Sequence, residues 1–301
     1  MSDVVRRDLA RAAARLRNVA PARLLTAGLR ALAFNLGLGP LVFRRDVSGR
    51  PERLVVTLTT TPARARHVGP ALRSLIDQTV AADRIVLALP SVSRRDGAFY
   101  PDPAELGLPR GVEVLACDDE GPATKILPAL RAEPDACLVV VDDDVVYPRE
   151  FLATLLAAHR ADRSVAFGWR GVRLEEGVRF VDLAHVFASG VREPVAVDVL
   201  FGTWGYLVPP GALDGAVHDF AGWPEAVRNV DDVWISGHLA RRGVARRVVA
   251  AGMFPIETFA TLRGSLTGGI NRSGENDRIA VEAFADDFRR GHDQTSGVGP
   301  C

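Results

Sequence analysis

Lysine is nearly absent from this chain of 301 residues. Its 37 basic residues include a single lysine, Lys125, and the rest are arginines. Because the two side chains are not interchangeable at a tight site, Lys125 is a candidate functional residue, although chance can also leave one lysine in an arginine-rich chain. Asp and Glu also total 37, so the formal net charge is zero. That balance excludes the global positive field of a dedicated nucleic-acid binder.

Cysteine and long apolar runs are also scarce. The three cysteines, Cys117, Cys137 and Cys301, form no spacing pattern, which predicts neither a disulfide framework nor a zinc site and favours a reducing cytoplasm. Cys117 ends one predicted strand and Cys137 begins another, so in a parallel sheet they lie at opposite edges and are not expected to pair. No charge-free apolar run reaches about 18 residues, which excludes a membrane-spanning helix.

Residues 1–50 are predicted to form a basic, amphipathic helical extension. Arginines recur among alanines and leucines over residues 3–20, and residues 22–43 are more apolar but contain Arg23 and Arg30. These arginines and the lack of a convincing cleavage site argue against a signal peptide. Two interpretations remain: the segment makes a peripheral contact with an anionic membrane surface, or it packs on its own domain or on a partner subunit.

Residues 51–260 alternate between strand and helix patterns, which predicts an α/β domain with a mainly parallel sheet flanked by helices. Hydrophobic residues make up 48% of the chain, enough for a substantial core. Residues 261–301 are rich in Gly, Asn, Ser and Asp and are predicted to be a partly mobile tail with one short helix over residues 279–288. The predicted strands cover residues 54–59, 84–89, 112–117, 138–141, 165–169, 195–208 and 244–250. The pattern over residues 195–208 is broken by Gly202 and Gly205 and by the bulky residues around them.

Three consecutive carboxylates follow the most apolar of these strands. Side chains alternate along an extended segment, so Asp142 and Asp144 point to one side and Asp143 to the other. Two carboxylates on one side, at the mouth of a buried strand, suit a divalent cation that prefers oxygen ligands. The alternative is a solvated loop, because Asp favours turns.

Ligands of open α/β sheets bind beyond the carboxyl ends of the strands, where the strand order reverses. If the first and fourth strands are neighbours across such a reversal, the loop Thr59–Pro62 and the triplet Asp142–Asp144 meet in one crevice. The helix predicted to begin at Gly121 and Pro122 can aim its N–H groups at a phosphate, with Lys125 one turn inside it. This combination suits a diphosphate bridged by Mg²⁺ or Mn²⁺.

Three motifs carry a resemblance to a known family. They are Val-Asp-Asp-Asp-Val-Val-Tyr-Pro at 141–148, Gly-Pro-Ala-Thr-Lys at 121–125 and Asp-Asp-Val-Trp-Ile-Ser-Gly-His-Leu at 231–239. In this order the chain resembles bacterial glycosyltransferases of the GT-A fold, close to family 2, over residues 52–255. The resemblance implies that Asp142 and Asp144 bind the metal, and that Asp143 binds the donor ribose or serves structure. It places Thr59, Thr60, Thr61 and Pro62 at the donor base and ribose.

The same resemblance implies a catalytic base in the acidic pair that opens a helix. Asp232 is the matching residue, with Asp231 as the alternative, and an ordinary helix-capping role is the competing explanation for both. In an inverting transfer a carboxylate takes the proton of the attacking hydroxyl, while Lys125 and the metal stabilise charge on the leaving diphosphate. Trp204 and Tyr206 are either a sugar-stacking platform or core aromatics.

Two features depart from the family pattern. A third metal ligand, frequently His, is expected late in the domain, and neither His238 nor His292 has a persuasive spacing. In the family an Asp after the second strand often binds the nucleobase, but this chain has Pro90 and Ser91 there. Asp118 or Asp119, after the third strand, could take the place of that Asp.

The sequence therefore predicts a metal-dependent, inverting hexosyltransferase that uses a UDP-sugar. The expected acceptor is a hydroxyl of a glycan or lipid-linked molecule in cell-envelope polysaccharide synthesis, and the expected location is the cytoplasm or the inner face of the membrane. One alternative is a nucleotidyltransferase, for which Arg64 and Arg66 follow the first strand without the glycines of a phosphate loop. The other is a catalytically silent relative that acts as a binding or scaffold subunit.

Overall fold

The computed structural model describes residues 3–45, 50–263 and 274–296. The α-helices are α1 (Asp3–Leu16), α2 (Pro21–Asn35), α3 (Gly69–Ile76), α4 (Leu127–Ala132), α5 (Phe151–Ala161), α6 (Asp231–Arg241), α7 (Glu275–Ala283) and α8 (Ala285–Ser296). The strands are β1 (Leu54–Leu58), β2 (Arg84–Pro90), β3 (Val112–Cys117), β4 (Cys137–Val140), β5 (Val145–Val146), β6 (Ala166–Gly168), β7 (Arg170–Val172), β8 (His185–Phe187), β9 (Val195–Ala196), β10 (Val199–Leu200), β11 (Tyr206–Val208), β12 (Arg246–Val248) and β13 (Ile256–Glu257).

An eight-stranded sheet forms the centre of the molecule, in the order β3-β2-β1-β4-β11-β6-β12-β9. The pairs β3–β2, β2–β1, β1–β4 and β6–β12 are parallel, whereas β11 runs antiparallel to both of its neighbours. Every residue of β1 and β4 is buried, as expected for central strands of a sheet with helices on both faces. The predicted α/β class with a mainly parallel sheet is confirmed.

The strand order reverses at β1. The chain moves outward from β1 to β2 and β3 on one side and then returns to place β4 on the other side of β1. The carboxyl ends of β1 and β4 are therefore adjacent at a topological switch point, where an open α/β sheet binds its ligand. The predicted neighbourhood of the first and fourth strands is confirmed.

The strand pattern over residues 195–208 is broken around Gly202 and Gly205, as predicted, and is broken a second time between residues 196 and 199. It is divided into β9 and β11, which belong to the large sheet, and β10, which pairs with β7 in a separate three-stranded sheet with β8. The chain turns before β11, where Trp204 (φ 82°) and Gly205 (φ 81°) both adopt the left-handed conformation. A strand cannot pass through that conformation, and it is rare for a residue other than glycine.

The two N-terminal helices pack on the domain. Arg30 on α2 donates hydrogen bonds to the Asp77 carboxylate at 2.8 Å and to the Tyr147 carbonyl at 2.6 Å. After α1, the backbone N–H of Asn18 bonds the Ser189 carbonyl at 3.2 Å. The described part of residues 1–50 therefore packs on its own domain, which is one of the two predicted alternatives. No helix in the described residues has the length and apolar character needed to cross a bilayer.

The described part of the C-terminal segment is also packed on the domain. Two helices, α7 and α8, replace the single predicted one, and the Phe284 ring between them is fully buried. Phe284 stacks on Trp223 at 4.5 Å and covers Gly237 of α6, where a side chain would have no room. Residues 264–273 and 297–301 of the predicted tail lie outside the described residues, as does Cys301. The proposed domain boundaries at residues 50 and 260 stay predictions.

Candidate active site

The acidic triplet lies where β4 reaches the carboxyl edge of the sheet. The side chains alternate as predicted: Asp142 and Asp144 are 20% and 22% exposed, whereas the Asp143 side chain is 4% exposed. The backbone N–H of Asp142 donates to the Tyr147 hydroxyl at 2.7 Å, and the Asp144 carbonyl accepts from the Thr258 N–H at 2.8 Å. The backbone is thereby fixed with two carboxylates towards the crevice and one in the interior.

Asp143 joins the triplet to the loop after β1. The Thr60 hydroxyl donates to Asp143 at 2.5 Å, and the Arg64 guanidinium contacts both Asp143 at 3.0 Å and Asp144 at 2.6 Å. The Thr59 hydroxyl donates to the Ala88 carbonyl at 2.8 Å. The structure therefore brings the threonine loop and the triplet together, as the sequence predicts. Asp143 is buried in contacts with Thr60 and Arg64, and its binding of the donor ribose stays a prediction.

The hydroxyl groups of Thr59 and Thr60 thus donate their hydrogen bonds within the protein. Thr61 and Pro62, which follow them, are half-buried. A role for these four residues at a donor base or ribose stays a prediction.

Lys125 lies between the acidic triplet and the start of α6. Its Nζ atom lies 3.0 Å from Asp231 and 3.5 Å from Asp142, and its carbonyl accepts from the Thr57 hydroxyl at 2.7 Å. Burial alone lowers the pKa of Lys125, but the charges of Asp231, Asp142 and Asp232 outweigh it and raise the pKa well above its usual value. Lys125 therefore stays cationic and links the acidic triplet to the start of α6.

The turn that carries Lys125 differs from the predicted helix start. Gly121–Lys125 is a 3₁₀ turn, and α4 begins only at Leu127. The Gly121 N–H donates to the Asp119 carboxylate at 2.8 Å, so this group is not free for a phosphate. Asp119 also accepts from the Arg94 N–H at 2.6 Å. The expectation that this turn aims its N–H groups at a phosphate is therefore wrong for the Gly121 N–H. Lys125 is the residue of the turn that faces the site.

Asp231 and Asp232 open α6, as predicted, and Asp232 is positioned by the loop before β11. Its Oδ1 atom accepts a hydrogen bond from the Gly202 N–H at 2.7 Å. Burial, followed by the charge of Asp231, raises the pKa of Asp232 to about 8. Among the described residues, no cationic side chain lies within ion-pair distance of Asp232, so it is a half-buried carboxyl group poised to exchange a proton near neutral pH.

Gly202 allows this close arrangement. A Cβ atom there would overlap Lys125 Nζ and lie 3.2 Å from Asp232 Oδ1. Its backbone can therefore approach both charged groups only because it carries no side chain. In the sequence this glycine is a strand breaker, and no local pattern indicates its position at the site.

The charges of the crevice leave room for a divalent cation. The crevice holds five carboxyl groups and two cationic side chains. Lys125 and Arg64 contact Asp142, Asp143, Asp144 and Asp231, and neither forms an ion pair with Asp232. Burial, followed by the charges of Asp142 and Asp143, raises the pKa of Asp144 to about 6. This excess of negative charge on oxygen donors fits a hard divalent ion such as Mg²⁺ or Mn²⁺ at Asp142 and Asp144.

Trp204 and Tyr206 occupy the positions expected of core aromatics. They are 4% and 1% exposed, and Trp204 packs between Phe187 at 4.9 Å and Phe254 at 5.7 Å. Neither ring has an exposed face in this conformation. Their role as a sugar-stacking platform stays a prediction. His238 is buried in an aromatic cluster with Trp234 and does not contact the acidic triplet. The side chain of His292 lies outside the described residues.

One further group of metal-ligating residues lies at the opposite edge of the sheet. The ligand atoms of Glu52, Cys137 and His159 lie within 4.8 Å of one another. Glu52 precedes β1 and Cys137 begins β4, so the group is at the amino ends of the strands and separate from the candidate site. Cys117 and Cys137 are both free thiols, as expected from their places in the sheet.

No protein-family model matches this chain, and no curated protein matches it. Two solved structures are similar to this chain at low identity. A crystal structure of S. aureus TarS, residues 1–349, is 15% identical with a TM-score of 0.47 and covers 78% of this chain, which spans 65% of that structure. The mannosyltransferase PcManGT from Pyrobaculum calidifontis, solved with GDP-Man and Mn²⁺, is 14% identical with a TM-score of 0.46; the match covers 92% of this chain and 85% of that one.

Proposed function

We propose that this chain is a metal-dependent, inverting glycosyltransferase. It transfers a sugar from a nucleotide-sugar, with UDP as the expected nucleotide, to a hydroxyl of a glycan or lipid-linked acceptor in cell-envelope polysaccharide synthesis. One observation carries the proposal: Lys125 connects Asp142 of the acidic triplet to Asp231, the neighbour of Asp232, at the switch point of the sheet. The carboxylates suited to a metal, Asp142 and Asp144, thus lie in the same crevice as Asp232, whose pKa is near neutrality.

The roles follow from what each group can do. Asp142 and Asp144 would hold Mn²⁺ or Mg²⁺, which when bound neutralises charge on the leaving diphosphate. Lys125, cationic and rigidly paired, supplies a fixed positive charge to the same diphosphate. These groups stabilise the departure of a nucleoside diphosphate without taking part in covalent chemistry.

Asp232 supplies the base. The acceptor oxygen forms its bond to the anomeric carbon as the bond from that carbon to the diphosphate oxygen breaks, and the hydroxyl proton passes to Asp232. Attack on the face opposite the leaving group inverts the anomeric configuration. The Gly202 N–H, 2.7 Å from Asp232 Oδ1, orients the carboxyl group and leaves Oδ2 for the proton.

Substitution of Asp232 by Asn tests the assignment. We expect transfer to fall by about 10²- to 10⁴-fold, the usual contribution of a general base, while UDP and Mn²⁺ bind as in the wild type by calorimetric titration. Asp144→Asn should instead weaken Mn²⁺ binding and the Mn²⁺-dependent binding of UDP. Asp286→Asn, at an exposed carboxylate, is the matched control. Unchanged turnover in Asp232→Asn would remove its role as base.

The nucleotide is identified by a thermal-shift panel of UDP-, GDP- and dTDP-sugars, each with and without Mn²⁺. Stabilisation by a UDP-sugar that requires Mn²⁺ is the expected result. No stabilisation by any of the three would favour the scaffold alternative, and activity with a nucleoside triphosphate and a sugar phosphate would favour the nucleotidyltransferase.

Peripheral contact with an anionic membrane is a second part of the proposal. Ten of the fourteen exposed large hydrophobic side chains in the described part of the chain lie between residues 9 and 42. Leu25, Leu29, Leu32 and Leu36 recur at spacings of four, three and four, so they form one stripe on α2. Its opposite side is buried through Ala31 and Phe34. An apolar stripe in an arginine-rich segment fits the interface of an anionic bilayer.

A further inference from the structure

Three arginines surround an aromatic cluster beside the proposed base. The Arg170 guanidinium lies 5.0 Å from the centre of the Phe201 ring and donates to His185 Nδ1 at 3.0 Å. His185 is stacked on Phe201 at 5.1 Å. Phe201 immediately precedes Gly202, whose N–H holds Asp232. The Phe201 ring thus lies between Arg170 and the loop whose Gly202 N–H orients Asp232.

The other two arginines come from α1. Arg15 lies 5.2 Å from the Trp204 ring, which packs on Phe187 of the same aromatic cluster. Arg11 donates to the Val181 carbonyl at 3.0 Å, next to Phe180, whose ring contacts Phe201. The charges of both residues help to lower the pKa of Arg170, so the N-terminal helix contributes two cationic side chains near Arg170. Arg11, Arg15 and Arg170 are referred to below as the arginine cluster.

Described carboxylates offset the positive charge of the cluster only from a distance: Glu257 acts on Arg15, and Asp232 and Asp142 act on Arg170. None of its three guanidinium groups makes an ion pair with a carboxylate in the part of the chain that the structure describes. Burial lowers the pKa of Arg170 to about 10, although the charge of Asp232 opposes the change. Burial, together with the charges of Arg170 and Arg11, lowers the pKa of His185 to about 3, so this imidazole is neutral. Half-buried cations without a counter-ion are costly unless a ligand supplies the anion.

We propose that the arginine cluster is an anion subsite that binds a phosphate group of the acceptor. Guanidinium groups match phosphate oxygens with paired hydrogen bonds. The aromatic rings between them suit an apolar or sugar portion next to that phosphate. The acceptor is then a phosphate-bearing molecule whose hydroxyl reaches Asp232.

The assignment to the acceptor rests on the proposed glycosyl transfer, in which Asp232 receives the acceptor proton. The diphosphate of the donor is the other possible source of the phosphate. Its expected position is at Lys125 and the acidic triplet, where the metal would bind. The cluster lies on the Phe201 side of Gly202, whereas Lys125 contacts Asp142 and Asp231. The acceptor phosphate and the donor diphosphate are thus assigned to separate sites.

Calorimetric titration of the full chain with hexyl phosphate tests the subsite, with hexanol as the uncharged counterpart. We expect hexyl phosphate to bind and hexanol not to bind. Arg170→Gln and Arg15→Gln should each weaken hexyl phosphate by about tenfold or more, the effect of one charge-assisted hydrogen bond. Arg179→Gln, an exposed arginine paired only with Asp182, should leave the affinity unchanged. Circular dichroism confirms that each variant is folded.

Saturation with UDP and Mn²⁺ separates the two sources of phosphate. Hexyl phosphate should bind equally well to the UDP–Mn²⁺ complex, and Arg170→Gln should bind UDP–Mn²⁺ like the wild type. Competition between the two ligands would assign the cluster to the donor diphosphate and overturn the proposal, as would wild-type affinity for hexyl phosphate in Arg170→Gln. If the protein binds no nucleotide but binds hexyl phosphate through the arginines, the proposed function fails and the anion site stands.

Discussion

The environment of Asp232 sets the pH at which it can accept a proton. It is half-buried, adjacent to Asp231 and oriented by one backbone N–H. Burial and a like charge both disfavour its ionised form, which is why its pKa rises to about 8. Lys125, which pairs with Asp231 and Asp142, offsets only part of this effect.

A pH profile follows from that shift. A base must be deprotonated, and a raised pKa keeps Asp232 protonated below pH 8, so kcat/KM should rise about tenfold per pH unit below 8 and level off above it. Steady-state kinetics between pH 5.5 and 9.5 would show this limb. A profile that is flat from pH 6 to pH 9 would contradict the assignment of Asp232.

Gly202 is the residue at which packing and catalysis depend on each other. Gly202→Ala would push a methyl group against Lys125 Nζ and Asp232 Oδ1. We expect kcat to fall by about 10- to 100-fold, because a displacement of the base of about 1 Å has that effect. Gly215→Ala, where a Cβ meets no atom within 4 Å, is the matched control and should keep wild-type turnover. Equal activity in the two variants would show that the close approach at Gly202 is dispensable.

At the scale of elements, α6 connects the site to the C-terminal helices. It presents Asp231 and Asp232 at its first turn and packs Trp234 and Gly237 against Phe284 at its middle. The C-terminal segment was predicted to be a partly mobile tail because its composition is polar. Its described part is anchored by two aromatic residues, Phe284 and Phe288, both of which are buried.

Phe284→Ala tests this anchoring. Removing a fully buried ring should lower the free energy of unfolding by about 3–5 kcal/mol, through lost burial and the cavity that remains. Urea denaturation followed by tryptophan fluorescence measures the change. Phe99→Ala, at a ring that is 79% exposed, should change stability by less than about 0.5 kcal/mol. If the two variants are equally stable, the C-terminal helices do not belong to the cooperative unit.

At the scale of the whole molecule, α1 and α2 combine two properties. Arg30 and Phe34 fix α2 to the domain, whereas its leucine stripe, with Leu29 60% exposed, faces away from the protein. Arg11 and Arg15 of α1 contact the Val181 carbonyl and the Trp204 ring. An exposed apolar face of this kind indicates an interaction surface.

Vesicle co-sedimentation checks the membrane proposal. The wild type should bind vesicles of phosphatidylglycerol and phosphatidylcholine more tightly than vesicles of phosphatidylcholine alone, because arginines add electrostatic attraction. Replacing both Leu29 and Leu32 by Gln should weaken binding at least about tenfold, since a buried leucine contributes about 1.5–3 kcal/mol. Val178→Gln is the control on a different exposed segment. Equal sedimentation of all three proteins would exclude α2 as the membrane contact.

Much of the framework was predictable from local patterns. The strand Val112–Cys117 and the start of α6 at Asp231 agree with the sequence prediction to the residue. The break around Gly202 and Gly205 was also predictable, whereas the left-handed backbone at Trp204 and the second break between β9 and β10 have no signal in the local pattern. The helix start at Gly121 failed because Asp119, which caps the turn, competes for its N–H.

The sequence by itself determined the α/β class, the alternation of Asp142 and Asp144 against Asp143, and the acidic start of α6. These follow from the period of side chains in strands and helices and from the chemistry of helix ends. Only the tertiary structure decided that Lys125 joins two acidic groups, that Gly202 orients Asp232, and that α1 places arginines near Arg170. Those are contacts between residues that are far apart in the chain, and no local pattern encodes which distant side chains the sheet order brings together.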